Sequence, residues 1–187
     1  MVKVNTCVFI SGQGTNLKNL LTRSRDSSFP IVIKLIITNN KNSKGIILAK
    51  KNSIPFKIIN TKLRNYEDKI LQYLKKNNIN FICLAGYMKI ISKKFIKKFG
   101  KKIVNIHPSL LPKFKGLNTY SRVLQHKERI TGCTVHYVSE KLDSGKIIVQ
   151  KSFYINSKDN EKTLKQKTQN LEYRVFPEAI IKVFRNY

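Results

Sequence analysis

Apolar positions along this chain come in short runs separated by amphipathic stretches, and that rhythm predicts the architecture. Val4 to Ile10 is a run of strand length, broken at Ser11-Gly12-Gln13-Gly14-Thr15-Asn16. Leu17, Leu20 and Leu21 then fall on one face of a helix. Ile31 to Thr38 is rich in branched side chains and reads as a strand. Residues 42–52 predict a helix, and residues 55–59 a third strand. Tyr66, Ile70, Tyr73 and Leu74 mark the next amphipathic helix, and Phe81 to Ala85 a fourth strand ending at Gly86. Ser92 and Gly100 bound a short helix whose Phe95, Ile96 and Phe99 give it an apolar face. Ile103 to Ile106 is a further strand. Strand and helix alternating at this spacing predict parallel crossovers, an α/β sheet with helices on both faces.

Beyond residue 112 the rhythm changes. Thr131 to Val138 alternates, with Cys133, Val135 and Tyr137 on one face and Thr134 and His136 on the other. Lys146 to Ile155 follows after the turn Asp143-Ser144-Gly145. Two adjacent strands with a short link predict an antiparallel C-terminal extension of the sheet. From Asn160 a long helix carries Leu164, Leu171 and Val175 on one face, with Pro177 marking a kink or restart.

Composition narrows the class. The 187 residues, 41% of them apolar, suit one domain over residues 1–187 with a real core. No apolar run approaches membrane-spanning length, and the N-terminus carries no secretory pattern, so a cytoplasmic protein is expected. The three cysteines, Cys7, Cys83 and Cys133, are far apart and form no metal-type spacing. No metal is expected. The net charge of +27, from 37 Lys plus Arg against 10 Asp plus Glu, suits phosphate-bearing ligands. Nucleic acid is the partner class that charge alone suggests, but the lysines are spread over nearly every helix. In the densest run, Lys93 to Lys102, no aromatic side chain alternates with them to stack bases. Compositional drift with mild anion steering is the simpler reading.

Candidate chemistry concentrates at Asn105-Ile106-His107-Pro108-Ser109-Leu110-Leu111-Pro112. Asn105 and His107 are two apart, so on a strand they point to the same side. One is an amide donor, the other titrates near neutral pH, and two prolines stiffen the loop that follows. That set suits chemistry at a carbonyl carbon. Asp143, in a turn 36 residues beyond His107, is the candidate partner that orients the imidazole and stabilises its charged form. The loop Gly12 to Asn16 lacks the glycine spacing of a dinucleotide fingerprint and the Lys-Ser/Thr ending of a P-loop, and suits a phosphate monoester at a helix start. His136 reads as a partly buried structural side chain and His126 as a surface one.

Five segments in register carry a resemblance across nearly the whole chain. They are Ser11 to Asn16, Leu84-Ala85-Gly86-Tyr87-Met88-Lys89-Ile90-Ile91-Ser92, Asn105 to Pro112, Gly132-Cys133-Thr134-Val135-His136-Tyr137-Val138, and Leu142-Asp143-Ser144-Gly145. Together they resemble the folate-dependent formyltransferase family, most closely its branch that formylates glycinamide ribonucleotide. The resemblance implies a Rossmann-like fold and formyl transfer from 10-formyltetrahydrofolate to the amine of glycinamide ribonucleotide in purine biosynthesis, by a monomer or homodimer. It implies catalytic roles for Asn105, His107 and Asp143. It places Gly14, Thr15 and Asn16 at the substrate phosphate and Glu172 at its ribose. Met88, Lys89, Ile90, Ile91, Val138 and Leu142 are expected to line the folate pocket, and Arg64 to lie near the folate's glutamate tail. The chain departs from the family pattern at Lys89, where Arg is common, at Asn118 and Tyr120, where His often occurs, and at Lys115, a frequent proline.

Siblings share the catalytic set. A formyltransferase with another acceptor or a formyltetrahydrofolate hydrolase is therefore the alternative within the family. The initiator-tRNA and sugar-nucleotide enzymes carry an extra domain and tend to have a Pro-Trp pair where this chain has Asn118-Thr119-Tyr120. The hydrolases usually add an N-terminal regulatory domain. Outside the family, the alternative is a basic nucleic-acid-binding protein. Titration with random DNA at roughly 150 mM salt separates it: incidental basicity gives weak association that falls steeply with added salt. Sub-micromolar binding at that salt would restore the nucleic-acid reading.

Overall fold

The computed structural model describes residues 2–185. They form two compact units, which divide between Val104 and Asn105. The elements in chain order are β1 (Val4–Ile10), α1 (Thr15–Ser24), β2 (Ile31–Thr38), α2 (Gly45–Lys51), β3 (Phe56–Ile58), α3 (Tyr66–Lys76), β4 (Phe81–Leu84), α4 (Lys93–Phe99), β5 (Ile103–His107), α5 (Thr119–Gln125), β6 (Ile130–Tyr137), β7 (Ile147–Tyr154) and α6 (Glu161–Phe184). Strand β5 belongs to both units, since the boundary falls within it.

In the first unit the strand neighbours run β3-β2-β1-β4, with the start of β5 beyond β4. β1 pairs parallel with β2 and β4, and β2 with β3. Parallel strands need crossovers, and α1 to α4 supply them. The central strands are buried almost throughout: Cys7, Val8, Phe9 and Ile10 on β1 and Leu35, Ile36 and Ile37 on β2 are fully enclosed. That is the signature of a sheet covered on both sides, and it explains why these segments read as continuous apolar runs. Leu17, Leu20 and Leu21 bury the inner face of α1. Helix α2 starts at Gly45 rather than at residue 42, because Ser43 and Asn40 form a turn that delays it (Ser43 N to Asn40 O, 3.1 Å).

In the second unit the order is the end of β5, then β6, then β7, with β6 and β7 antiparallel. The sheet is thus mainly parallel with an antiparallel C-terminal extension, as the sequence pattern predicts. Gly132 is required where the two strands approach: a Cβ there would lie 1.9 Å from Lys151 O. α6 packs on both β6 and β7 and begins with a reciprocal cap between Asn160 and Thr163. It runs without interruption through Pro177, so the expected restart does not occur. Helix α5 has no counterpart in the sequence reading. It buries Thr119 and Val123, so no apolar stripe marks it, and its N-cap Asn118 is left-handed with no side-chain cap. All three cysteines are buried and free. Among the described residues no helix is long and apolar enough to cross a membrane.

The lysine-rich α4 behaves as its pattern predicts. Phe95 and Phe99 are buried while Lys93, Lys94, Lys97 and Lys98 are exposed. Ser92 caps it, accepting from Phe95 N at 3.0 Å, and Glu67 on α3 accepts from both Ser92 N, at 2.9 Å, and the Ser92 hydroxyl. Ser92→Ala should therefore cost about 1–2 kcal/mol of stability, and Ser92→Thr should restore most of it. Urea unfolding midpoints measure both.

Candidate active site

The second unit gathers three of the sequence-singled residues, Asn105, His107 and Asp143, and adds His136. Asn105 and His107 project from β5, His136 from β6, and Asp143 from the turn before β7. The His107 side chain is 6% exposed and that of Asp143 8%. His107 Nδ1 faces Asp143 Oδ2 at 3.4 Å, and His107 Nε2 donates to Phe114 O at 2.9 Å. A carbonyl can only accept, so Nε2 carries a hydrogen and Nδ1 is the nitrogen turned toward the carboxylate. Asp143 Oδ2 also accepts from Gly116 N at 2.8 Å, while Oδ1 lies 3.7 Å from His136 Nε2.

His136 has the opposite tautomer. Its Nδ1 donates to Tyr137 O at 2.9 Å, which leaves Nε2 to accept from Asn105 Nδ2 at 3.2 Å. Burial holds the His136 pKa below the ordinary imidazole value, outweighing its hydrogen bond to Tyr137 and the Asp143 charge. A neutral His136 thus takes one amide hydrogen of Asn105, fixes which way the amide faces, and leaves its second N–H to donate elsewhere. The sequence reading set His136 aside as structural. The signal available was its place beside Thr134 on the polar face of an alternating strand. That face is buried, not solvated, so its polar groups must find partners.

The loop after β5 supplies Phe114 and Gly116 because it is pinned to β6. Buried Thr134 donates its hydroxyl to Ser109 O at 2.6 Å and accepts from Leu111 N at 3.1 Å and Gln150 Nε2 at 2.8 Å. Phe114 has a left-handed φ of 56°, a strained conformation for an aromatic residue. Its ring is held by the Arg122 guanidinium at 5.6 Å and edge-on against His126 at 5.3 Å. Asp143 is left-handed as well, φ 44°.

Glu172 lies elsewhere in this unit, on the buried face of α6, with the residue only 7% exposed. Burial pushes the Tyr120 phenol and the Cys133 thiol well up, and the Glu172 charge pushes both further. The carboxylate therefore neighbours α5 and β6. Leu164, Thr168, Glu172, Val175, Ala179 and Val183 share the buried stripe, whereas Leu171 is only half-buried. A carboxylate at a core position is the feature that singles Glu172 out. Val138 is half-buried and Leu142 exposed.

In the first unit, Gly14 begins α1 with φ 75° and no side-chain cap. The first turn holds no acidic residue, so its backbone N–H groups present a partial positive charge. Thr15 and Asn16 are the first two residues of that turn. Met88 and Ile90 are 60% and 69% exposed, apolar side chains on a loop that buries Tyr87 and Ile91 and whose Met88 N–H donates to the Ser11 hydroxyl at 2.8 Å. Lys89 and Arg64 are exposed. Among the described residues no group of three or more His, Cys, Asp or Glu is arranged to hold a metal ion.

A family model described as Formyl transferase matches residues 4–180. The chain belongs to the formyl transferase family.

Proteins of known name are similar to it. It is 40% identical to phosphoribosylglycinamide formyltransferase of Haemophilus influenzae, over 95% of this chain and 85% of that protein. It is 38% identical to the chicken (Gallus gallus) trifunctional purine biosynthetic protein adenosine-3, over 95% of this chain. The matched region spans 18% of that longer relative's length. The crystal structure of phosphoribosylglycinamide formyltransferase from Bacillus halodurans superposes with a TM-score of 0.92 at 34% identity, over 96% of this chain and 94% of that one.

The depressed pKa of His136 has a consequence for stability. Protonation favours the unfolded state, where the imidazole titrates at its ordinary value. The contribution of neutral His136 is present above about pH 6.5 and is lost as pH falls from there toward its lower folded value. The His136 ring resonances should titrate below the ordinary imidazole value of about 6.5 in an NMR series. A midpoint at or above that value would remove the neutral-His136 account of Asn105 orientation.

Proposed function

We propose that this formyl transferase moves a formyl group from 10-formyltetrahydrofolate to the primary amine of glycinamide ribonucleotide. One observation carries the reading. In a member of this family, an amide oriented by a neutral histidine lies beside an imidazole–carboxylate pair, within one unit. The name of the Haemophilus influenzae relative supports the acceptor, as do the glycine turn that opens α1 and the buried carboxylate Glu172. The single-domain reading of residues 1–187 goes with it, supported by a family match that runs through both units. A cytoplasmic location fits the same biosynthetic role.

The folate, when bound, supplies an electrophilic formyl carbon. Asn105 keeps one N–H for the formyl oxygen as negative charge grows there, its other N–H being held by His136. His107 is anchored at Nε2 by Phe114, and its 3.4 Å contact with Asp143 exceeds an ordinary N–H···O hydrogen bond. When protonated on both nitrogens, His107 can turn its Nδ1–H toward the developing oxyanion while the carboxylate balances its charge. Asp143, held by Gly116 N, receives the proton shed by the attacking amine and passes it through water to the folate's departing nitrogen, as the bond from that nitrogen to the formyl carbon breaks and tetrahydrofolate leaves. Thr15 and Asn16 present the helix start to the substrate phosphate, with Gly14 giving the turn, and Glu172 accepts from the ribose hydroxyls. Met88 to Ile91 and the Val138 to Leu142 segment receive the pterin, and Arg64 the folate's glutamate tail.

A coupled assay with glycinamide ribonucleotide and a 10-formylfolate tests the reaction directly, and absence of turnover would overturn it. Asn105→Ala removes the oriented donor, so kcat should fall by ~100-fold or more with folate binding kept. Asp143→Asn keeps the shape but removes the charge facing His107, so activity at neutral pH should collapse, and the residual activity should have an altered limb in its pH profile. Near-normal turnover with an unchanged profile in Asp143→Asn would sink the role given to Asp143.

A further inference from the structure

The first unit contains a hydrogen-bond frame that the mechanism above does not use. Ser11 directly follows β1 and is 8% exposed. Its hydroxyl donates to Asn39 Oδ1 at 2.5 Å and accepts from Met88 N at 2.8 Å. Its own backbone N–H donates to Gly86 O at 3.1 Å, and its carbonyl accepts from Asn40 Nδ2 at 2.9 Å. Two residues before Gly14, the Gly12 carbonyl accepts from the Ser43 hydroxyl at 2.7 Å, and Ser43 is 4% exposed. Gly14 itself lies against Gly45, where an added Cβ would come within 3.0 Å of Gly45 Cα. The turn that opens α1 is therefore held on one side by residues 39–45. Ser11 joins the start of that turn to the Gly86–Ile91 loop.

We propose that Ser43 and Ser11 are positioning residues for the two ligands. Ser43 fixes the Gly12–Asn16 turn for the phosphate through the Gly12 carbonyl. Ser11 ties that turn to the folate-binding loop through the Met88 amide, so that both are set by one hydroxyl. This rests on the assignment of those two segments to glycinamide ribonucleotide and folate. Backbone amides aimed at a ligand lose affinity when the loop that carries them moves by a fraction of an ångström. Both serines lie outside the set of Asn105, His107 and Asp143, so they affect binding and not the chemical step.

Steady-state kinetics with both substrates, melting temperatures and calorimetric binding of glycinamide ribonucleotide test it. Ser43→Ala should raise the KM for glycinamide ribonucleotide roughly fivefold, the effect of one lost hydrogen bond, with kcat and the folate KM within about twofold of the parent. Ser11→Ala should raise both KM values by a similar factor, and Ser11→Thr, which keeps the hydroxyl, should recover them. If Ser11→Ala fails to fold, Asn39→Ala removes only the acceptor of the Ser11 hydroxyl and should raise both KM values less. Unchanged constants in the folded variants, whatever their melting temperatures, would overturn the proposal, as would equal rises in both KM values from Ser43→Ala. The unmodified protein failing to bind glycinamide ribonucleotide would instead overturn the ligand assignment beneath it.

Discussion

The buried hydroxyl of Thr134 is the interaction on which the candidate active site depends. A threonine hydroxyl has one hydrogen and two lone pairs, and here all are used, on Ser109 O, Leu111 N and Gln150 Nε2. These bonds fasten the loop after β5 onto β6. Further along, the same loop offers Phe114 O to His107 and Gly116 N to Asp143. Neither of those partners is a side chain, so no substitution can supply them if the loop moves. The left-handed conformations of Phe114 and Asp143 show that the backbone is held against its local preference here, where strain is tolerated only when surrounding contacts fix it.

Two histidines of one type acquire opposite behaviour from their backbone partners. His107 gives its Nε2 hydrogen to a carbonyl and turns Nδ1 to a carboxylate, an arrangement suited to positive charge. His136 gives its Nδ1 hydrogen to Tyr137 O, and burial keeps it neutral with a lone pair for Asn105. Burial thus reserves one ring, neutral, to orient a donor, while the other ring faces a carboxylate. A buried ring with a committed hydrogen also resists flipping, which gives the Asn105 amide a defined direction.

The large positive charge has little part in this arrangement. The lysines of α4 project outward, and Lys98 is paired with Asp68 at 2.7 Å, an exposed contact worth little to stability. What the charge adds is a field favourable to anions, and its spread over many helices suits general attraction better than recognition of a particular strand.

Much of the fold was legible in the sequence because its elements obey simple periods. β1, β2 and α1 stand out since a doubly covered strand is apolar throughout and its helix is apolar on one face. Ser92 and Gly100 announced α4, because an N-cap and a left-handed C-cap have few chemical solutions. Local chemistry also marked Asn105, His107, Asp143 and the glycine turn as unusual. Helix α5 was invisible, since it has neither an apolar stripe nor a side-chain cap, and α2 was overextended because a turn of Asn and Ser side chains imitates a helix start. Only the tertiary structure decided that His136 meets Asn105, that Glu172 occupies a core position and that Ser11 reaches Met88, 77 residues away. Those contacts join segments distant along the chain, and a sequence pattern records which face a side chain occupies but not what stands opposite it.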